Sequence, residues 1–240
     1  MFLMKNVLKL MTYNVHSAIG SDKKRDYDRI IKVIREIDPH IINLQEVDLK
    51  PHASNGRQSF LFEKINSNLD YSGVKGITML KSDSAFGNAM FVKAEPHKIE
   101  NHDISFGKRE PRGVMDCLYK INGNTLRVIN THLGLKKRER IFQFGRIKEL
   151  LQDKQNVPTL LSGDFNEWQF RSRQLQHLKQ HVDMVNRQNT FPARYPVFAL
   201  DLMFYNKGLK LMNYKVHQSI LSRQASDHLP LTGNFLISKN

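Results

Sequence analysis

Strand-sized apolar runs alternate with segments of helical period along nearly the whole chain, and no Pro-, Ser- or Gly-rich linker separates them. That alternation specifies an α/β architecture and excludes an all-helical bundle or a repeat array. Val7–Asn14, Ile41–Leu44, Gly87–Val92, Val114–Ile121, Thr125–Thr131, Val157–Leu161, Leu200–Phe204, Leu211–Val216 and Leu229–Leu236 read as strands. Tyr27, Ile30, Ile31, Ile34 and Ile37 fall at helical spacing, and Asp38-Pro39 stops that helix. Ile141, Phe144, Ile147, Leu150 and Leu151 mark another, and residues 58–69 and 173–180 read as two more. Asn122-Gly123-Asn124 is hairpin chemistry, because Asn and Gly accept positive φ. The expectation is one domain over residues 1–240, with two sheets face to face and helices outside.

Charge and cysteine usage narrow the function classes. Lys and Arg number 37 against 23 Asp and Glu, a formal charge of +14 in 240 residues. Such a surface favours polyanionic partners: nucleic acid, anionic lipid headgroups or phosphorylated small molecules. The single Cys117 rules out an intrachain disulfide framework and a multi-cysteine zinc site. No apolar run is long enough to span a membrane. Met1–Lys5 has no small-residue cleavage site and runs straight into a strand, so a cytoplasmic location is expected, with Met4 an alternative start.

Acids, amides and histidines interrupt the strands in a regular way. Asn14 and His16 follow the first strand, Glu46 follows Ile41–Gln45, and His132 follows Leu126–Thr131. Asp164 and Asn166 follow Leu160–Gly163, Asp201 precedes Leu202–Phe204, and Asp227-His228 precedes Leu229-Pro230-Leu231. Singly, each has a structural use: Asn14 closing a turn, Asp164 or Asp227 capping, His132 a satisfied buried histidine. Jointly they describe an acid-rich, histidine-containing pocket on one rim, because charges beside buried strands are costly unless paired or metal-bound.

These segments resemble the endonuclease/exonuclease/phosphatase superfamily, the DNase I-like metal-dependent phosphoesterases. The matching segments are Thr12-Tyr13-Asn14-Val15-His16, Leu44-Gln45-Glu46-Val47, Asn130-Thr131-His132-Leu133, Ser162-Gly163-Asp164-Phe165-Asn166, Leu200-Asp201 and Ser226-Asp227-His228-Leu229-Pro230. Phe86-Gly87-Asn88-Ala89, Glu110-Pro111-Arg112-Gly113, Asn166-Glu167-Trp168 and Thr190-Phe191-Pro192-Ala193 are similar to a compact, uncharacterised bacterial branch. The resemblance implies a four-layer αββα sandwich of two mixed β-sheets with the site at one rim.

It also implies roles. Glu46 is the principal metal ligand, with Asn14 and Asp227 nearby; hard oxygens suit Mg²⁺ or Mn²⁺. Asp164 and Asn166 orient water and phosphate, His132 donates to a phosphate oxygen, and Asp201 pairs with His228. The family's accounts divide between Asp164 and His228 as general base and between one and two metals. Arg112 binds phosphate or makes a surface salt bridge with Glu110. Asn88 is read as closing a turn or lining the site, Lys136–Arg140 as a solvated face or a phosphate-backbone or headgroup contact beside His132, and Trp168 as packing or a substrate contact. His16 stands where apurinic-site nucleases usually carry Asp, which weakens the case for that repair activity.

The activity implied is divalent-metal-dependent phosphodiester hydrolysis, on nucleic acid or a phospholipid-type diester. The alternatives are a catalytically inactive basic nucleic-acid-binding module and a phosphomonoesterase for small substrates. The complete set of site residues argues against the inactive module. Few exposed aromatics for stacking and no membrane-directed amphipathic helix are read from the sequence.

Overall fold

A computed structural model describes residues 7–50, 60–80, 84–153, 156–169 and 171–237. Met1–Lys5 and residues 58–59 of the second expected helix lie outside them. The elements run β1 (Val7–Asn14), α1 (Tyr27–Ile37), β2 (Ile41–Lys50), α2 (Leu61–Asn68), β3 (Ser72–Leu80), β4 (Ala85–Val92), β5 (Pro96–Asp103), β6 (Gly113–Ile121) and β7 (Asn124–His132). Then follow α3 (Lys137–Asp153), β8 (Thr159–Asp164), α4 (Arg173–Leu178), β9 (Asp183–Met184), β10 (Asp201–Tyr205), β11 (Leu209–Val216), α5 (Ser222–Ala225) and β12 (Leu231–Ile237).

The strands form two six-stranded sheets, ordered β11-β12-β1-β2-β4-β3 and β5-β6-β7-β8-β10-β9. In each, a parallel pair sits at the centre, β1 with β2 and β7 with β8, and every other pairing is antiparallel. Three apolar clusters define four layers. Leu10, Ile41, Met90, Cys117, Val128, Leu160 and Phe235 fill the space between the sheets. Ile30, Ile34 and Ile37 of α1 and Ile65 of α2 cover the first sheet. Phe144, Ile147 and Leu151 of α3, with Leu175 and Leu178 of α4, cover the second. This is the αββα sandwich. Among the described residues, no helix is long and apolar enough to cross a membrane.

Local chemistry explains the boundaries. The Asp26 carboxylate caps α1, accepting from Asp28 N and Arg29 N at 3.0 and 3.2 Å. Asp38 ends that helix in the left-handed region at φ 44°. Pro158 cannot donate to a ladder, so β8 starts at Thr159 and runs on to Asp164. Pro230 likewise delays β12 to Leu231. Three strands carry no clear sequence signal, β3, β5 and the two-residue β9, and all are sheet edges. An edge strand needs little apolar content, and β5 exposes His97, Lys98, Ile99, Asn101 and Asp103.

β2 departs most from expectation. The strand does not end at Leu44 but continues to Lys50, with a register break against β4 between Leu44 and Val47. Glu46 sits in that bulge at φ 57°. A bulge re-aims a side chain without ending the strand, so Glu46 points into the rim from mid-strand. Gly163 fixes the opposite sheet. It faces Thr131 across the parallel β7–β8 pair at φ 155°, and a Cβ there would overlap the Thr131 carbonyl oxygen. Gly163→Ala should lower stability by about 1–3 kcal/mol and depress turnover, because the next register pair is His132–Asp164. Denaturant unfolding alongside an activity assay checks both.

Candidate active site

The two sheets bring their functional residues to one edge. Asn14 ends β1, His132 ends β7 and Asp164 ends β8. Asp201 begins β10, which is antiparallel to β8 and pairs Asp201 with Asp164. Asp227 and His228 precede β12, which is antiparallel to β1. Strand starts and strand ends therefore share one rim.

Asp164 lies at the centre and is buried. Its Oδ1 accepts from Asn166 N at 2.9 Å, an Asx turn that places Asn166 at φ 49°. Its Oδ2 accepts from Asn14 Nδ2 at 3.0 Å and lies 3.5 Å from His132 Nε2 and 3.7 Å from His228 Nε2. Asn14 Nδ2 also donates to Glu46 Oε1 at 2.9 Å, while its Oδ1 accepts from His16 N at 3.0 Å. Asn14 thus bridges two carboxylates in this arrangement, with its oxygen already engaged. Ser226 Oγ holds the rim together, donating to Asn14 O at 2.8 Å and lying 3.3 Å from Asp227 Oδ1.

The two histidines are driven in opposite directions. His228 Nδ1 sits 2.8 Å from Asp201 Oδ2. Burial alone would lower the His228 pKa, but the charges of Asp201 and Asp164, the Asp201 hydrogen bond and Asp227 outweigh it, raising it to about 10. Burial dominates at His132, which falls to about 3; Asp164 opposes the drop, and Arg112 and His228 add to it. Asn166 Nδ2 donates to Leu133 O at 2.9 Å and lies 3.1 Å from His132 Nε2. With neutral His132, that ring nitrogen accepts from the amide rather than donating.

Carboxylates crowd the opposite wall. Burial raises the Glu46 pKa first of all; the Asn14 bond and His16 lower it, and Asp164 and Asp227 push it up again. His16 Nδ1 lies 3.6 Å from Asp227 Oδ1, so an imidazole stands among these acids. A divalent cation fits this donor set: Glu46 and Asp227 offer hard oxygens whose mutual repulsion it would relieve. Donor atoms of Asp164, Asp201 and His228 also come within 4.8 Å of one another.

Arg112 makes the ion pair with Glu110 that the sequence left open, but from a buried position. Its side chain is buried, its Nη1 contacts Glu110 Oε1, and its Nε is buried without a partner. It lines a cleft of about 420 Å³ between the edges of the two sheets, with Thr78, His102 and Asn88. Asn88 is a buried residue of β4, not a turn residue, and its Nδ2 lies 3.4 Å from Gly113 O.

Sequence reasoning missed the support beneath the site. Between the sheets, Gln45 Nε2 donates to Asn130 Oδ1 at 2.8 Å, and Asn130 Nδ2 donates to Leu44 O and Ala89 O at 3.0 and 2.9 Å. Asn43 Nδ2 donates to Ser162 Oγ at 2.9 Å. These bonds set the gap that Glu46 and Asp164 face across. The ring of Phe191 also packs on that of His228, with centroids 4.8 Å apart. The amides were legible only as polar residues inside apolar strands.

The fold and this rim define a class of phosphate-ester hydrolase, and comparison with known proteins gives the family. Residues 11–228 match the Endonuclease/Exonuclease/phosphatase family. The chain belongs to that family, whose enzymes act on phosphoesters and generally use divalent metals. It is similar to the uncharacterised protein YbhP of Escherichia coli K12, 25% identical over 239 residues, covering 93% of this chain and 94% of that one. It superimposes on an endonuclease/exonuclease/phosphatase from Beutenbergia cavernae with a TM-score of 0.79, at 20% identity, over 97% of this chain and 72% of that one. The mannosyl-6-phosphatase of Bacteroides thetaiotaomicron gives a TM-score of 0.75, at 18% identity, over 96% of this chain and all of that one.

Proposed function

We propose that the protein is a divalent-metal-dependent phosphodiesterase that hydrolyses its substrate by in-line attack of water. The observation that carries this reading is the meeting of Asp164 with Asn14, His132 and His228 at 3.0–3.7 Å, from strands of both sheets. Glu46 and Asp227 would hold Mg²⁺ or Mn²⁺, and Asn14 orients the Glu46 carboxylate. When bound, the ion supplies Lewis-acid polarisation of the phosphate and stabilises the leaving oxygen.

The chain's own residues do the rest. Asp164 is fixed by Asn166 N on one oxygen and presents the other to the pocket, so it positions the water and takes its proton as the new P–O bond forms. Asp201 on His228 Nδ1 favours the imidazolium, and His228 then clamps a non-bridging phosphate oxygen. Asn166 and His132 close the floor, and the Arg112 guanidinium, which lines the adjoining cleft, supplies positive charge for the phosphate. Which diester is taken depends on the surface around this centre. The charge of +14 makes a polyanion such as nucleic acid one candidate and an anionic lipid headgroup the other.

Hydrolysis of bis(4-nitrophenyl) phosphate with Mg²⁺ or Mn²⁺, abolished by EDTA, is the expected result. Turnover of 4-nitrophenyl phosphate alone would overturn the diesterase assignment. A second measurement needs no substrate. Mn²⁺ should raise the thermal midpoint, corresponding to about 2.7 kcal/mol at a hundredfold excess over Kd. Glu46→Gln should abolish that shift, and an unchanged shift would remove Glu46 from the metal set.

A further inference from the structure

Three loops leave the rim of the second sheet beside the catalytic centre. One follows β7 at Leu133–Leu135, one follows β8 at Phe165–Trp168, and residues 191–200 lead into β10. They are fastened to one another rather than free to fold inward. Arg140 Nη1 donates to Leu135 O at 2.6 Å, and its Nε lies 3.5 Å from Glu167 Oε2. Arg187 donates to Glu167 O, Gln169 O and Ala199 O at 2.5–2.8 Å, joining the second loop to the third. Ala193 N donates to Asp227 O at 2.6 Å, which anchors the third loop to the site.

Each loop holds large apolar side chains out in solvent. Leu135 is 68% exposed, Trp168 59%, Tyr195 70% and Val197 61%. Trp168 is therefore not a packing residue. Each loop also carries exposed cations: Lys136, Lys137 and Arg138 beside the first, Arg171 and Arg173 after the second, and Arg194 in the third. Arg194 lies over the Tyr195 ring at 5.6 Å. Among the described residues of these segments there is no exposed carboxylate, since Glu139 and Glu167 are buried. A one-signed rim with apolar tips is a partner-binding composition, because scattered surface apolar residues do not cluster beside a site in this way.

We propose that this rim docks the protein on an anionic lipid surface, so that the catalytic pocket opens onto the headgroups. Trp168 and Tyr195 are amphipathic rings suited to the headgroup level. Leu135 and Val197 enter the acyl boundary, and the flanking Lys and Arg residues meet the anionic charge. A single-stranded nucleic acid would satisfy the cations and stack on Trp168 and Tyr195. It would leave Leu135 and Val197 without a partner, because an aliphatic side chain does not stack on a base. The docking stands independently of the catalytic reading; only the action on a headgroup after docking rests on it.

The test is co-sedimentation of the full chain with vesicles of phosphatidylcholine alone and of phosphatidylcholine containing a quarter phosphatidylglycerol. Binding to the anionic vesicles is expected, and L135E/V197E should weaken it by about tenfold or more. Turnover of the soluble bis(4-nitrophenyl) phosphate should be unchanged in that variant, which shows that it folds. Absence of wild-type binding to anionic vesicles, or equal binding by the variant, overturns the proposal. So does tighter binding of a single-stranded oligonucleotide that W168A removes. Vesicle binding without any ester hydrolysis would instead sink the catalytic reading and leave the docking intact.

Discussion

Asp164→Asn should lower phosphodiester turnover by about 10²–10⁴-fold, the range expected for loss of a positioned proton acceptor. The substitution preserves size and lets the side-chain oxygen still accept from Asn166 N. It removes the negative charge on which Asn14, His132 and His228 converge at 3.0, 3.5 and 3.7 Å. It also sets an amide donor against the Asn14 Nδ2 donor, so the bridge from Asn14 to the second sheet is lost. The fold should survive, because the change relieves repulsion among Asp164, Glu46 and Asp227 rather than opening a cavity. Steady-state kinetics with a thermal melt on the same sample separates the two effects. Retention of more than a few per cent of kcat with an unchanged melt would show that Asp164 is not the proton acceptor. His228→Ala should also be strongly impaired, but with a larger rise in KM, since its role is to clamp phosphate.

The centre of this site was legible because its chemistry forces rare residues into apolar strands. Glu46 after Ile41–Gln45 has few neutral uses, and Asp164 after Leu160–Gly163, which alone could be a turn or cap, gains weight from the other interruptions beside it. What could not be read was how they are aimed. The Glu46 bulge depends on a pairing break with β4, a partner more than forty residues away in the chain. The amides Asn43, Gln45 and Asn130 look like defects in their strands until the opposite sheet supplies their acceptors. Buried polar groups need such partners, but sequence does not say which.

Burial was legible for strands with a buried face and less so for loops and for edges, where only β11 was read. β3 and β5 went unread because an edge strand is not required to be apolar. In Lys136–Arg140 the first three residues are solvated as expected, whereas Glu139 and Arg140 are buried, Arg140 holding the Leu135 and Gly134 carbonyls. Trp168 erred in the other direction: a lone tryptophan is most often packing material, and here it projects beside the pocket. The sequence impression of few exposed aromatics failed for the same reason, with Tyr195 and Phe198 also outside. Loop exposure depends on how the loops are tied, here by Arg140 and Arg187, and not on local composition.

Arg127→Met should destabilise the fold by about 3–5 kcal/mol, the cost of taking the guanidinium away from a buried carboxylate. Arg127 and Asp116 are both almost wholly buried on the face of the second sheet covered by α3. Arg127 Nε and Nη2 donate to the two Asp116 oxygens at 2.8 and 2.6 Å, and Nη2 also donates to Leu150 O at 2.9 Å. The pair joins β6 to β7 and fastens both to the end of α3. Methionine fills part of the volume but leaves the Asp116 carboxylate buried, with the His102 imidazole 3.9 Å away in place of the guanidinium, and removes the bond to Leu150 O. For a chain of this size the thermal midpoint should fall by roughly 10 °C. Replacing both partners with apolar residues, Asp116→Leu with Arg127→Met, should recover much of that loss, because the penalty comes from the carboxylate left in a buried site and not from the absence of an ion pair. If the single substitution costs less than about 1 kcal/mol, solvent reaches Asp116, and the covering of this sheet by α3 is looser than the contacts imply.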